Sequence, residues 1–127
     1  MADIYITITG TFKFHGNDIF KPGQIVRLEK EPDNPKDTEA IKVLLPGDVQ
    51  VGYVANSVHT VVRGTHSAGR IYDKFEDEAF AKVLFVSDKI VIAKFLGWDE
   101  KLSETFANLK VDVEAVEEFE EEEEEEY

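Results

Sequence analysis

The sequence predicts a mainly β fold: a small barrel or sandwich of about seven short strands, with one or two short helices. Three observations lead there. Apolar residues recur at period two in several runs, the signature of half-buried strands. Clusters of Gly, Pro, Asn and Asp separate these runs and supply turn chemistry. Finally, 127 residues fit one domain, and such a chain can bury a core without disulfides, which the absence of cysteine excludes in any case.

The first run, Ile4 to Phe14, places Ile4, Ile6, Ile8, Phe12 and Phe14 on one face and Tyr5, Thr7, Thr9, Thr11 and Lys13 on the other. Gly10 interrupts the apolar face, which predicts a bulge or bend. A loop at His15–Asp18 and a Lys21-Pro-Gly turn follow. Gln24 to Glu31 reads as a second strand with Val26 and Leu28 inward. Pro32 and Pro35 cannot donate to a ladder, so pairing stops there. Asp33-Asn34-Pro35 is a turn, because Asx side chains satisfy nearby backbone donors. Ala40 to Leu45 and Val49 to Val54 form a hairpin about Pro46-Gly47-Asp48, and Gly52 within it indicates a bulge or a close approach by another group.

Asn56 to Gly64 reads as a short helix, capped by Asn56 or Ser57 and ended by Gly64, although His59, Thr60 and Val61 are mediocre helix formers. Strands are expected over Arg70 to Phe75, Ala79 to Val86 and Lys89 to Phe95. The last two are apolar on both faces, as for strands held between layers or at a partner interface. Leu102, Phe106 and Leu109 fall on a helical stripe and predict a short packing helix.

The net charge of −13 is unevenly placed. All 14 Lys and Arg lie at or before Lys110, against 16 acids in the same stretch, so residues 1–110 carry −2; the remaining 11 acids lie in residues 111–127. The chain therefore divides into a near-neutral domain, 1–110, and a Glu-rich acidic tail, 111–127, expected to be disordered and chiefly solubilising. This distribution leaves a polyanionic partner open where an even −13 would oppose it. The opening residues enter a strand pattern at once, with no basic region followed by a long apolar one. No run is long enough to span a bilayer, so neither a signal peptide nor a membrane segment is expected and the cytoplasm is the expected compartment.

No catalytic constellation emerges. His15, His59 and His66 lack ligand spacing. Asp33, Asp37 and Glu39 lack the glycine and the spacing of a calcium loop and are better read as turn-makers. There is no Gly-rich phosphate loop before a helix and no nucleophile elbow. Neither an enzyme nor a metal or cofactor is expected.

Three segments carry a family resemblance: Gly10-Thr-Phe-Lys-Phe14, Val26-Arg-Leu-Glu-Lys-Glu-Pro-Asp-Asn-Pro-Lys-Asp-Thr-Glu-Ala-Ile-Lys-Val43 and Val51-Gly-Tyr-Val54. Together, from about Ile8 to Gly64, they resemble the HIRAN domain, found fused to SNF2-type helicases and as stand-alone proteins. The resemblance implies a small antiparallel β-barrel related to the OB-fold, of about six or seven strands. It also implies nucleic-acid binding, of single-stranded DNA or DNA 3′ ends, in repair or replication contexts. In helicase-fused members two tyrosines stack on bases, basic side chains meet phosphates and an aspartate contacts the terminal hydroxyl.

Asp37 falls on that aspartate. Lys13 and Lys36 fall where the family has the two stacking tyrosines, Tyr53 on a His or Tyr near the pocket, and Asn56 where a lysine meets phosphate. The implied nucleic-acid-binding residues are thus Lys13, Lys36, Asp37, Tyr53 and Asn56. Two platforms that would each contribute about 1–3 kcal/mol per base are replaced by cations. The alternative is a protein-interaction or self-associating barrel that has lost the DNA-end site, using residues 79–95.

Overall fold

The structure, a computed structural model, describes residues 2–109; the expected disordered tail, 111–127, lies outside the described residues. The inward-facing apolar alternation is satisfied by six strands: β1 (Tyr5–Thr9), β2 (Ile25–Lys30), β3 (Ile41–Leu45), β4 (Val49–Val54), β5 (Glu78–Val86) and β6 (Val91–Gly97). They close into an antiparallel barrel in the order β1-β4-β3-β2-β5-β6, with β6 returning to β1. Closure pairs every strand on both sides, so no edge is left to template further pairing.

Ile6 and Ile8 of β1, Val26 and Leu28 of β2, Val43 of β3, Val51 of β4, Val83 of β5 and Val91 of β6 fill the interior. Ala79, Ala81 and Ala93 are also fully buried there, small side chains suiting the tight bore of a small barrel. β3 and β4 form the expected hairpin, with Gly47 and Asp48 at positive φ in the turn.

Gly52 marks a close approach. A Cβ built on it would lie 2.8 Å from the Thr9 carbonyl oxygen and 3.0 Å from Ile8 Cγ2. The end of β1 thus presses onto β4, where Thr9 pairs with Tyr53. The β3–β4 register also shifts between Val43 and Leu44, next to Gly52's partner.

Three expectations need correction. The run Ile4–Phe14 is not one strand. β1 ends at Thr9, Gly10 takes a left-handed φ of +71°, and Thr11–Lys13 form a 3-10 turn. The turn breaks the period-two alternation, so Thr11 is buried while Phe12, expected inside, is 80% exposed. The outer face of β1 is not open either, because Thr7 is buried under the 57–66 segment, its hydroxyl bonded to that of Thr65 at 2.8 Å.

Residues 56–64 form turns rather than a helix. Ser57 does act as a cap, accepting at its hydroxyl from His59 N–H and at its carbonyl from Val61 N–H. A single turn follows, and Thr, Val and Val do not extend it.

Residues 70–75, expected as a strand, instead run through a helix α1 (Ala68–Ile71) and a 3-10 turn over Tyr72–Lys74, and only Phe75 is extended. Ser67 caps α1 by accepting from Arg70 N–H at 3.3 Å. Ala68 and Ile71 of α1 are buried, as is Phe75 just after the 3-10 turn. This loss reduces seven expected strands to six.

The second apolar face of β5 is covered from within the chain, which places this strand between layers as one of the two sequence readings had it. The expected packing helix forms as α2 (Glu100–Asn108), capped by Asp99, which accepts from Leu102 N–H at 2.9 Å. Phe106 of α2 and Trp98 lie with ring centroids 5.7 Å from that of Phe80, which is buried outside the barrel. Only Leu84 and Phe85 of β5 remain exposed large hydrophobics. Among the described residues, no helix is long and apolar enough to cross a membrane.

Candidate functional site

A cleft of about 500 Å³ opens where the end of β1, the loop between β2 and β3, and the segment after β4 meet. Thr9 and Lys13 line it from the first region, Asn34, Lys36 and Asp37 from the loop, Tyr53 from β4, and Asn56, Ser57 and Thr60 from the segment beyond. All five residues singled out from the sequence, Lys13, Lys36, Asp37, Tyr53 and Asn56, face this one space.

The loop holds its shape through side chains, as its prolines remove ladder donors. Asn34 Oδ1 accepts from the backbone N–H groups of Lys36 (2.9 Å) and Asp37 (3.2 Å), forming an Asx turn. Asn34 Nδ2 donates to Glu31 Oε1 at 2.6 Å, and the Tyr53 hydroxyl donates to the same oxygen at 3.0 Å. The other Glu31 oxygen lies 3.7 Å from Lys42 Nζ, which also sits 3.3 Å from Glu29. Glu31 is therefore the hub joining the loop to β4, and Lys42 offsets its charge. Nothing local in the sequence marks it, because Tyr53 comes from a strand 22 residues away.

Asp37 is clamped. Its Oδ1 accepts from Glu39 N–H at 2.9 Å and its Oδ2 from Asn56 Nδ2 at 2.8 Å. Asn56 Oδ1 in turn accepts from Gly69 N–H at 2.8 Å, linking the loop to the start of α1. A carboxylate has about four acceptor positions, and Asp37 is half-buried with two used, so it can still accept from a ligand hydroxyl. Asn56 spends its amide on positioning Asp37, so it differs in kind from a flexible cation reaching for phosphate.

Lys13 and Lys36 are exposed and have no ion-pair partner among the described residues, unlike Lys42. Tyr53 is half-buried, its ring centroid 6.2 Å from that of Phe14, so its face is partly packed and its hydroxyl committed. With Glu31 offset by Lys42, the cleft presents two free ammonium groups, one held carboxylate and a set of amides and hydroxyls. That surface suits a sugar–phosphate chain. A second hollow of about 510 Å³, lined by Lys74, Phe75, Glu76, Asp77, Glu78 and Trp98, is dominated by carboxylates and would repel one.

The HIRAN domain signature matches residues 1–79, which include β1 to β4 and every residue lining the cleft. The chain belongs to the HIRAN domain family. This is a family of nucleic-acid-binding modules. The crystal structure of the HIRAN domain of human HLTF is similar to the whole barrel, with a TM-score of 0.53 at 20% identity, covering 87% of this chain and 92% of that one. At that identity the likeness establishes the fold. No curated protein sequence matches the chain.

Thr9, Ser57 and Thr60 also line the cleft and were not singled out from the sequence. Thr9 sits beside Gly10, and Ser57 beside Asn56, so proximity to the matched motifs was the available signal. The orientation of Phe12 was hidden by its parity in an alternating run.

Proposed function

We propose that this HIRAN domain binds single-stranded nucleic acid in the cleft, with a preference for DNA strands ending in a free 3′-hydroxyl, in the setting of repair or replication. The observation that carries this reading is the convergence of Lys13, Lys36, Asp37, Tyr53 and Asn56 on one space. Lys13 and Lys36 meet consecutive phosphates. Asp37, held by Asn56 and by Glu39 N–H, accepts a hydrogen bond from the terminal hydroxyl. Tyr53 forms part of the wall. The domain binds and does no chemistry.

Two cations make a weak site, because phosphate contacts carry most of the affinity in such binding. Fluorescence anisotropy with short oligonucleotides at low salt tests the reading. A 3′-hydroxyl strand should bind more tightly than the same strand with a 3′-phosphate, whose charge would face the Asp37 carboxylate. Equal binding of the two removes the end preference, and no binding of either sinks the proposal.

A further inference from the structure

The resemblance puts base stacking at positions 13 and 36, where this chain has lysines. We infer that Phe12, next in sequence to the cleft-lining Lys13, supplies the stacking face in their place as an exposed aromatic platform on a held turn. This deepens the proposed function and rests on it.

Single exposed hydrophobics are common on protein surfaces and by themselves mean little. Three features set Phe12 apart. First, of the exposed large hydrophobics among the described residues, Val58 (91%) and Phe12 (80%) are the most exposed, and both adjoin cleft-lining positions. Phe12 precedes Lys13, and Val58 lies between Ser57 and Thr60. Leu84, Phe85, Trp98 and Leu109 are less exposed and none adjoins a residue lining this cleft.

Second, the backbone that presents the ring is held. Gly10 turns the chain at φ +71°, and the 3-10 turn closes with Lys13 N–H to the Gly10 carbonyl (3.2 Å) and Phe14 N–H to the Thr11 carbonyl (2.9 Å). Thr11 is buried and its hydroxyl bonds Asn17, whose Nδ2 donates to the Ser87 carbonyl at 2.9 Å in the turn between β5 and β6. The ring thus stands on a turn anchored to the far hairpin, which lowers the ordering cost of binding.

Third, Lys13 Nζ lies 5.8 Å from the Phe12 ring centroid. A cation beside an aromatic face can engage a phosphate while the ring meets the attached base, the combination used in single-strand recognition.

The test measures anisotropy at low salt for the full chain and its Phe12→Ala and Phe12→Trp variants. Each meets a short single strand and the same strand carrying one terminal abasic site. Stacking on one base predicts that Phe12→Ala weakens binding by about 5- to 150-fold and that Phe12→Trp retains or improves it. Removing the base should weaken the parent protein but leave Phe12→Ala unaffected. Circular dichroism melting should be unchanged, because the ring is in water. If Phe12→Ala binds as the parent does, or loses affinity yet still responds to the abasic site as the parent does, the platform is overturned while the cleft stands. If the parent binds neither strand, both readings fall.

Discussion

At the scale of single residues, the cleft divides into side chains that build it and side chains free to touch a ligand. Asn56 is of the first kind. Replacing it with Ala removes the donor to Asp37 Oδ2 and the acceptor for Gly69 N–H. Two lost hydrogen bonds in a half-buried place should cost about 1–3 kcal/mol. In a domain of this size that lowers the Tm by roughly 4 °C per kcal/mol, readable by circular dichroism. Lys36 is of the second kind. Its backbone N–H anchors the Asx turn, but its side chain has no ion-pair partner among the described residues. Lys36→Ala should leave stability within about 0.5 kcal/mol while weakening oligonucleotide binding several-fold. Asn56→Ala melting as the parent does would show that the clamp contributes nothing to the fold. Lys36→Ala binding as the parent does would remove Lys36 from the interface. The sequence could not make this division. Asn56 and Lys36 both fall on contact positions by resemblance, and only the hydrogen bond from Asn56 across to Asp37 separates them.

At the scale of elements, the place where the end of β1 pairs with β4 positions one wall of the cleft. Gly52 permits it: its φ is not in the left-handed region, and what it supplies is space against the Thr9 carbonyl oxygen. Gly52→Ala drives a Cβ into backbone that cannot swing aside. Overpacking of this kind typically costs about 1–3 kcal/mol. Because Thr9 and Lys13 lie at or just beyond the displaced end of β1, oligonucleotide affinity should fall with the melting temperature. A variant that melts and binds like the parent would show that β1 does not press on β4. Gly52 was legible in the sequence as a bulge or close approach, since glycine in a strand has few other reasons to be there. β2, β3 and β4 were legible because prolines and a Pro-Gly-Asp turn bound their alternation. Where the reading failed, tertiary contacts overrode local pattern. Ile71 and Tyr72 favour strand, yet burying Ala68, Ile71 and Phe75 together selects a capped helical turn. Ser57 caps, but the residues after it do not propagate.

At the scale of the whole molecule, alternation tells which face of a strand is buried but not which strand it pairs with. The β2–β5 and β1–β6 pairings that close the barrel therefore had no local sign. Nor did the covering of Phe80 by α2, which gives an intramolecular reason for a strand apolar on both faces. Charge is the whole-molecule property the sequence states outright, and it bears on binding. Two phosphate contacts, from Lys13 and Lys36, predict a slope of log affinity against log salt of about −1.4 for a single strand. A slope near zero would remove the lysines as phosphate ligands. The 11 acids in residues 111–127 act in the same range. Removing them changes the formal charge from −13 to −2, since Lys110 is the last cation. A chain truncated after Lys110 should bind an oligonucleotide more tightly at low salt, because long-range repulsion of the polyanion is relieved. The gain should shrink as the Debye length falls from about 30 Å at 0.01 M salt to about 8 Å at 0.15 M. Anisotropy titrations of both lengths across that range measure it. A gain that persists undiminished at high salt would mean that the segment occupies the cleft by short-range contact. No gain at any salt would mean that its charge does not reach the site.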